Sequence, residues 1–313
     1  MFSIAARISA IFVMIAMGYS ACRIGFVKGE AQSHLTSLIL NVNIPCMLLY
    51  SITQNDVNSS MMEETLVMLL CSCIYFIIAA GVSMLIVKLF GVNEMYSSGV
   101  YKVIFTSTNA GFIGFPVTQM LFGGENLYFM VLHNIVLNLY LYSLCTIQLN
   151  GGIRKNGSTM SSVRKMINPC IISAVISIVF LFAGIRMPEY INNIIGPVGD
   201  ATIPMAMILI GIQLSEGNIS KCITDIRLVI FSIVRLFLWP AAVLAVMMVL
   251  PVATEIKITL IIGASLPAAS TISALAANEG CDYRLAANGI IITTLLSVIS
   301  IPCSALMVHV FYT

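Results

Sequence analysis

The sequence predicts an all-α integral membrane protein of ten transmembrane helices, arranged as two inverted five-helix repeats. Three observations carry this expectation. Of 313 residues, 59% are hydrophobic and 9% charged, against about 45–50% and about 25% in soluble domains. Asn43-Ile44-Pro45 and Thr202-Ile203-Pro204 stand 159 positions apart, each in the middle of a helix-length apolar stretch, and the same offset pairs Gly25 with Gly184 and Gln54 with Gln213. At about 20 residues per span each half holds five spans, and because five is odd the second set lies upside down relative to the first.

The spans follow in order. The first repeat, residues 1–149, has apolar stretches at 5–23, 34–53, 65–88, 99–122 and 127–148; the second, residues 167–313, has them at 167–186, 195–214, 227–249, 257–278 and 285–310. Between them lies a cytoplasmic linker, 150–166, with Gly151-Gly152, Gly157-Ser158 and the basic residues Arg154, Lys155, Arg164 and Lys165. The stretch Arg7 to Cys22 looks like a signal peptide, and Tyr19-Ser20-Ala21-Cys22 like a lipidation site. The offset match at Gly25 instead requires this segment as the retained first span of a repeat.

Short loops rich in Lys and Arg stay on the cytoplasmic side. With the N-terminus outside, eleven of the fifteen basic residues fall in cytoplasmic loops, Arg7, Arg186 and Lys257 fall on the outer side, and Arg235 lies within the eighth span. Both termini are therefore expected to face outward from the cell membrane. The net charge of +2 arises from this loop bias, and no concentrated basic face points to nucleic acid. Nine cysteines, an odd number without metal-ligand spacing, read as small buried apolar residues, so no metal or other cofactor is expected.

The chemistry is expected where spans are interrupted. Thr106-Ser107-Thr108-Asn109-Ala110-Gly111-Phe112-Ile113-Gly114-Phe115-Pro116 collects small polar residues, two glycines and a proline, and Asn109 falls about ten residues into its span, near the bilayer centre at about 1.5 Å per residue. Gly263-Ala264-Ser265-Leu266-Pro267-Ala268-Ala269-Ser270-Thr271 repeats the pattern in the ninth span, and Pro45 and Pro204 reach a similar depth in the second and seventh. Proline removes a backbone donor and frees a carbonyl, which hydrocarbon tolerates only where the opened backbone lines a cavity or is buried in protein. Any one of these features alone reads as helix packing or a kink. Their paired placement points to a midplane binding site.

Asn109 to Pro116, Ala201-Thr202-Ile203-Pro204 through Gln213-Leu214, and Leu295 to Pro302 resemble the auxin efflux carrier family in its bacterial branch, over essentially the whole chain. The resemblance implies the ten-span fold shared by bile acid symporters and Na+/H+ antiporters, in which the fourth and ninth spans cross as broken helices, with homodimers common. It also implies transport of organic anions such as auxin, malate or malonate. Asn109 matches the family's fourth-span crossover asparagine and Pro267 its ninth-span crossover proline. The ninth span departs from many relatives, which carry a second proline or an asparagine near Pro267. The plant members' long cytoplasmic loop shrinks here to Asn150–Lys165.

A carboxylate needs donors and positive potential, which free N–H groups at half-helix N-termini supply. The expected substrate-binding residues are Asn109, Thr108, Gly111, Pro116, Pro267, Ser265, Ser270, Asn43, Pro45, Pro204 and Asn138. Asp200 and His133 are the candidates for coupling to Na+ or H+, with a hydrated span entrance and a helix-packing histidine as their plainer readings. For Arg235 the favoured reading is a side chain snorkelling to the cytoplasmic surface, the alternative a counter-ion facing a cavity. The expected function is alternating-access transport of small organic anions, with only the lipid bilayer, the solute and a homodimer as partners. The alternatives are a Na+- or H+-coupled carrier of the same fold for a different solute, which would be expected to hold carboxylates at the crossover, and a non-transporting membrane sensor, which would need a signalling domain. Neither paired acids nor a metal cluster suggests an enzyme.

Overall fold

The computed structural model describes residues 2–28, 31–55, 61–92, 94–149, 169–216 and 224–312, and all regular structure among them is helical. The predicted linker 150–166, with Arg154, Lys155, Arg164 and Lys165, lies outside the described residues, as do Lys221 and Cys222. In chain order the α-helices are α1 (Phe2–Arg23), α2 (Ala31–Leu38), α3 (Ile44–Thr53), α4 (Met61–Leu89), α5 (Met95–Thr106), α6 (Phe115–Phe122), α7 (Gly124–Leu141), α8 (Leu144–Leu149), α9 (Pro169–Phe182), α10 (Glu189–Asp200), α11 (Thr202–Glu216), α12 (Ile226–Ile233), α13 (Trp239–Val249), α14 (Thr254–Ser265), α15 (Ile272–Asn278) and α16 (Tyr283–Tyr312). Among the described residues six continuous helices are long and apolar enough to cross a membrane: Ala6–Arg23, Ala31–Thr53, Met61–Leu89, Glu189–Ser215, Ile226–Val249 and Tyr283–Tyr312. Along α4, Leu66, Leu70, Ile77 and Met84 are all exposed, where a helix in water would carry charge. The predicted sixth span is the shorter apolar helix α9, and the fifth is split between α7 and α8. The fourth and ninth drop out of the set because each is divided in its middle.

Three helices widen into a π turn, at Ile39–Asn43, Ala110–Gly114 and Val234–Leu238. Each turn ends two residues before a proline, Pro45, Pro116 and Pro240. The cause is common to all three: proline offers no N–H and its ring collides with the carbonyl four residues back, so the helix admits an extra residue per turn and continues. This corrects the expectation of four interruptions. The chain stays helical through Pro45, and through Pro204 the bonds Ala201 N–H to Pro197 O (3.2 Å) and Met205 N–H to Ala201 O (3.1 Å) carry the helix across. Of the four expected interruptions, those in the fourth and ninth spans are the two at which the helix opens among the described residues.

The chain folds as two compact units, each drawing segments from both halves of the sequence. One comprises Met1–Thr65, Gly111–Val131 and Ile167–Gly217. In it α1 packs along α11, and α3 against α9 and α10. The α1–α11 contact is backbone on backbone: a β-carbon on Gly18 would fall 2.0 Å from Ile208 O, and one on Gly211 would fall 2.1 Å from Ile15 O. Such approach lets helices associate in lipid, where apolar burial supplies no drive. Arg7 donates to the carbonyls of Met120 and Leu121 at the end of α6. Gly25 and Gly184, paired by the offset, have φ of 80° and 65° and close α1 and α9 with the same bonds, Phe26 N–H to Ala21 O at 2.9 Å and Ile185 N–H to Phe180 O at 2.8 Å. Glycine meets this left-handed requirement without a β-carbon penalty.

The other unit comprises Leu66–Ala110, Leu132–Met166 and Asn218–Thr313. Its long helix α16 packs against α5, α12, α14 and α15. Gly99 on α5 lets that helix close on α8, since a β-carbon there would meet Leu149 O at 2.7 Å. The aromatic side chains of Tyr75, Phe76, His133, Tyr140 and Trp239 pack together beside them.

Candidate functional site

The two broken helices obey one register. Helix α5 runs Met95–Thr106 and α14 runs Thr254–Ser265, twelve residues each, so both their first and their last residues are separated by the same 159-residue offset. The next residue is extended in both, Ser107 at φ −78°, ψ 145° and Leu266 at φ −69°, ψ 149°. At Leu266 the cause is Pro267, which excludes its predecessor from the helical region. At Ser107 it is a run of short polar side chains, Ser107-Thr108-Asn109, able to bond locally in place of the helix ladder.

The two openings are tied to each other. The Asn109 N–H donates to Pro267 O at 2.8 Å, and Asn109 Nδ2 donates to Ser270 Oγ at 3.0 Å. The Ala269 N–H reaches Ser107 Oγ at 3.4 Å and the Ala268 N–H reaches Thr293 Oγ1 at 3.1 Å. From α16, Ser300 Oγ donates to Ser265 O at 2.9 Å. Thr108 is 1% exposed and its hydroxyl has no hydrogen-bond partner, whereas Ser270 beside Asn109 is exposed. The junction thus joins an amide donor, an unspent buried hydroxyl and an open edge.

A helix ending in the middle of a bundle leaves its last carbonyls without partners. Arg235 supplies them. Its Nε donates to Ile104 O at 2.8 Å and Phe105 O at 3.2 Å, Nη2 to Ser107 O at 2.6 Å and Nη1 to Leu266 O at 2.6 Å. Ser107 and Leu266 are the matched positions of the two breaks, so one guanidinium bridges both helix ends. This overturns the snorkelling reading: Arg235 is 1% exposed. The reason is electrostatic, since each helix C-terminus presents about half a negative charge and two together balance about one cation. All four bonds end on carbonyl oxygens, and none of the 13 acidic residues lies in either break.

The other expected site residues are distributed as follows. Ser265 is buried, and its hydroxyl turns back to Ile262 O at 2.8 Å. Gly111 and Pro116 lie on the helix resumed after the first break. Asn138 spends its amide on Asn134 O, one turn back at 2.7 Å. His133 is fully buried, with Nδ1 3.0 Å from Ser72 Oγ and its ring stacked on Phe76. Gly111 and Pro116, with Asn43, Pro45, Pro204 and Asp200, belong to the other unit. There Asn43 Nδ2 donates to Val198 O at 3.0 Å, and the backbone of Gly199 lies so near Met47 that a β-carbon would fall 2.8 Å from Met47 Cα. The Oδ1 of Asn43 and the Oγ1 of its offset mate Thr202 are both buried without partners. Asp200 is exposed at the end of α10.

Sequence reasoning missed the roles of Arg235, Thr293 and Ser300. A signal for the last two was present, because Thr293, Ser297, Ser300 and Ser304 recur at helical spacing along α16 and all are buried.

A family model described as membrane transport protein matches residues 3–304. An uncharacterized transporter of Methanothermobacter thermautotrophicus is 26% identical over 296 residues, covering 94% of each chain. An uncharacterized transporter of Methanocaldococcus jannaschii is 26% identical over 300 residues, covering 93% of this chain and 94% of its own.

Proposed function

The chain belongs to the membrane transport protein family, and from that premise we propose that it is a secondary carrier of small organic anions, working by alternating access across the cell membrane. In this reading the ten predicted spans form two inverted repeats with both termini outside, and the solute sits where the broken fourth and ninth spans meet. One observation carries the choice of an anion: the paired breaks offer an amide (Asn109), an unpartnered hydroxyl (Thr108) and a guanidinium (Arg235), and no acidic residue lies within them. A Na+/H+ antiporter of this fold is expected to hold carboxylates at that depth, whereas a carboxylate solute needs donors. The helix that resumes at Ala110 adds the positive end of its dipole. Malate, malonate and aromatic monocarboxylates are the acids to try.

The test is uptake of these three labelled acids into proteoliposomes of wild-type protein, with empty liposomes as the reference. Saturable uptake of at least one acid, competed by its unlabelled form, is the expected result. Uptake no greater than in empty liposomes for all three refutes the reading.

A further inference from the structure

In carriers built on broken helices, unwound carbonyls and half-helix C-termini are the ligands that hold a coupling Na+ or H+. In this chain those oxygens are occupied. Ile104, Phe105, Ser107 and Leu266 all accept from one side chain, Arg235, and the two matched carbonyls receive its two terminal nitrogens at equal distance, 2.6 Å each. We propose that Arg235 is a tethered substitute for a monovalent coupling cation, permanently filling the position at which the two broken helices would otherwise hold Na+ or K+, so that the crossover accepts a carboxylate without a co-bound metal ion. The inference rests on the anion-carrier reading for its solute, but the cation position is defined by these oxygens alone.

Three features make Arg235 a substitute for an ion as well as a structural cap. The first is charge: two helix ends at about half a negative charge each call for about one monovalent cation, and the guanidinium supplies it without a carboxylate partner. The second is the ligand set, which consists of backbone oxygens from the first break and one from the second, as a coordinated ion would have. The third is how the side chain is aimed. Arg235 sits in the π turn Val234–Leu238 that Pro240 imposes, and the extra residue in that turn alters the direction in which the side chain leaves the helix. Just beyond, Trp239 Nε1 donates to Tyr75 Oη at 2.9 Å and anchors the same helix.

Shortening Arg235 leaves these carbonyls without donors around a space the size of a guanidinium, which a free cation then fills. Wild-type protein, Arg235→Ala, Arg235→Gln and Arg235→Lys are compared in choline, sodium, potassium and low-millimolar guanidinium chloride. The readouts are thermal unfolding in detergent and equilibrium binding of malate and malonate. Wild type is expected to give the same melting temperature and affinity in choline as in sodium or potassium. In choline, Arg235→Ala and Arg235→Gln melt lower and bind the acid about 5- to 150-fold more weakly, the usual range of coupling between two sites. Guanidinium, or sodium, restores both. Arg235→Lys keeps its charge and remains independent of added ions. Since wild type and the lysine variant test the idea by themselves, failure of the alanine protein to fold does not remove the test.

Acid binding by wild type only in the presence of Na+ overturns the inference and leaves the anion carrier standing. Alanine and glutamine variants that respond to no cation also overturn it, reducing Arg235 to a structural cap. Cation-selective recovery of melting temperature in a protein that binds neither acid upholds the cation position and shifts the failure to the choice of solute.

Discussion

Truncating Asn109 to alanine separates binding from folding at the paired breaks. The bond from Asn109 N–H to Pro267 O, 2.8 Å, belongs to the backbone and survives the substitution, so the two breaks stay joined. The substitution removes the 3.0 Å bond from Nδ2 to Ser270 Oγ, about 0.5–1.5 kcal/mol for a neutral pair, and exposed Ser270 turns to water instead. In the loaded protein the same amide donates to a carboxylate, a charge-assisted bond of about 1.5–3 kcal/mol. Asn109→Ala is therefore expected to weaken acid binding about tenfold to a hundredfold, with near-normal folded yield and a melting temperature lowered by only a few degrees. Equilibrium binding of labelled malate and malonate, read beside a melting curve on the same preparation, checks both halves. Wild-type affinity in the folded variant refutes the assignment of Asn109 to the solute, and a collapse in melting temperature equal to the loss of binding refutes the claim that the backbone link holds the breaks together.

Other substitutions test neighbouring parts of the argument. Thr108→Val keeps the shape of the side chain while removing a buried hydroxyl that has no partner; melting temperature should hold or rise, because an unsatisfied group costs about 1–3 kcal/mol, while acid affinity falls, and unchanged binding removes Thr108 from the site. Gly211→Ala drives a β-carbon to 2.1 Å from Ile15 O and 2.6 Å from Tyr19 N, so thermal unfolding should show a loss of about 1–3 kcal/mol. Gly81→Ala on α4 meets nothing within 4 Å and should be neutral or gain about 0.5–1 kcal/mol; equal losses at both positions would sink the close-packing account of α1 and α11. Gly263→Ala presses on His133 Nε2 at 3.1 Å, and its cost, about 1 kcal/mol, should disappear when His133→Ala is added, a coupling that a double-mutant cycle of melting temperatures measures.

The helical membrane class and the 159-residue register were legible in the sequence because both rest on local properties. Hydropathy is a sum over side chains, and a glycine that must close a helix in the left-handed region marks its position wherever it occurs, as Gly25 and Gly184 do. The locations of the two openings were legible for the same reason: Pro267 forbids helix at Leu266, and Ser107-Thr108-Asn109 compete with the helix ladder. Proline alone was a weaker guide. At Pro45 and Pro204 the helix goes on, because an extra residue in the turn or a neighbouring bond takes up the lost donor, and that outcome depends on packing around the turn.

What tertiary structure decided was which group answers the opened backbone. Arg235 stands 128 and 31 positions from Ser107 and Leu266, and its local sequence, near the start of an apolar helix, describes a snorkelling base as well as it describes a buried one. Burial of a charge is settled by its partners. The carbonyls of two helix ends, brought together by the pairing of Asn109 with Pro267, supply the negative potential that water would otherwise provide. Apolar character, turns and helix ends were determined by residues a few positions apart, and the cation at the centre was determined by oxygens that only folding assembles.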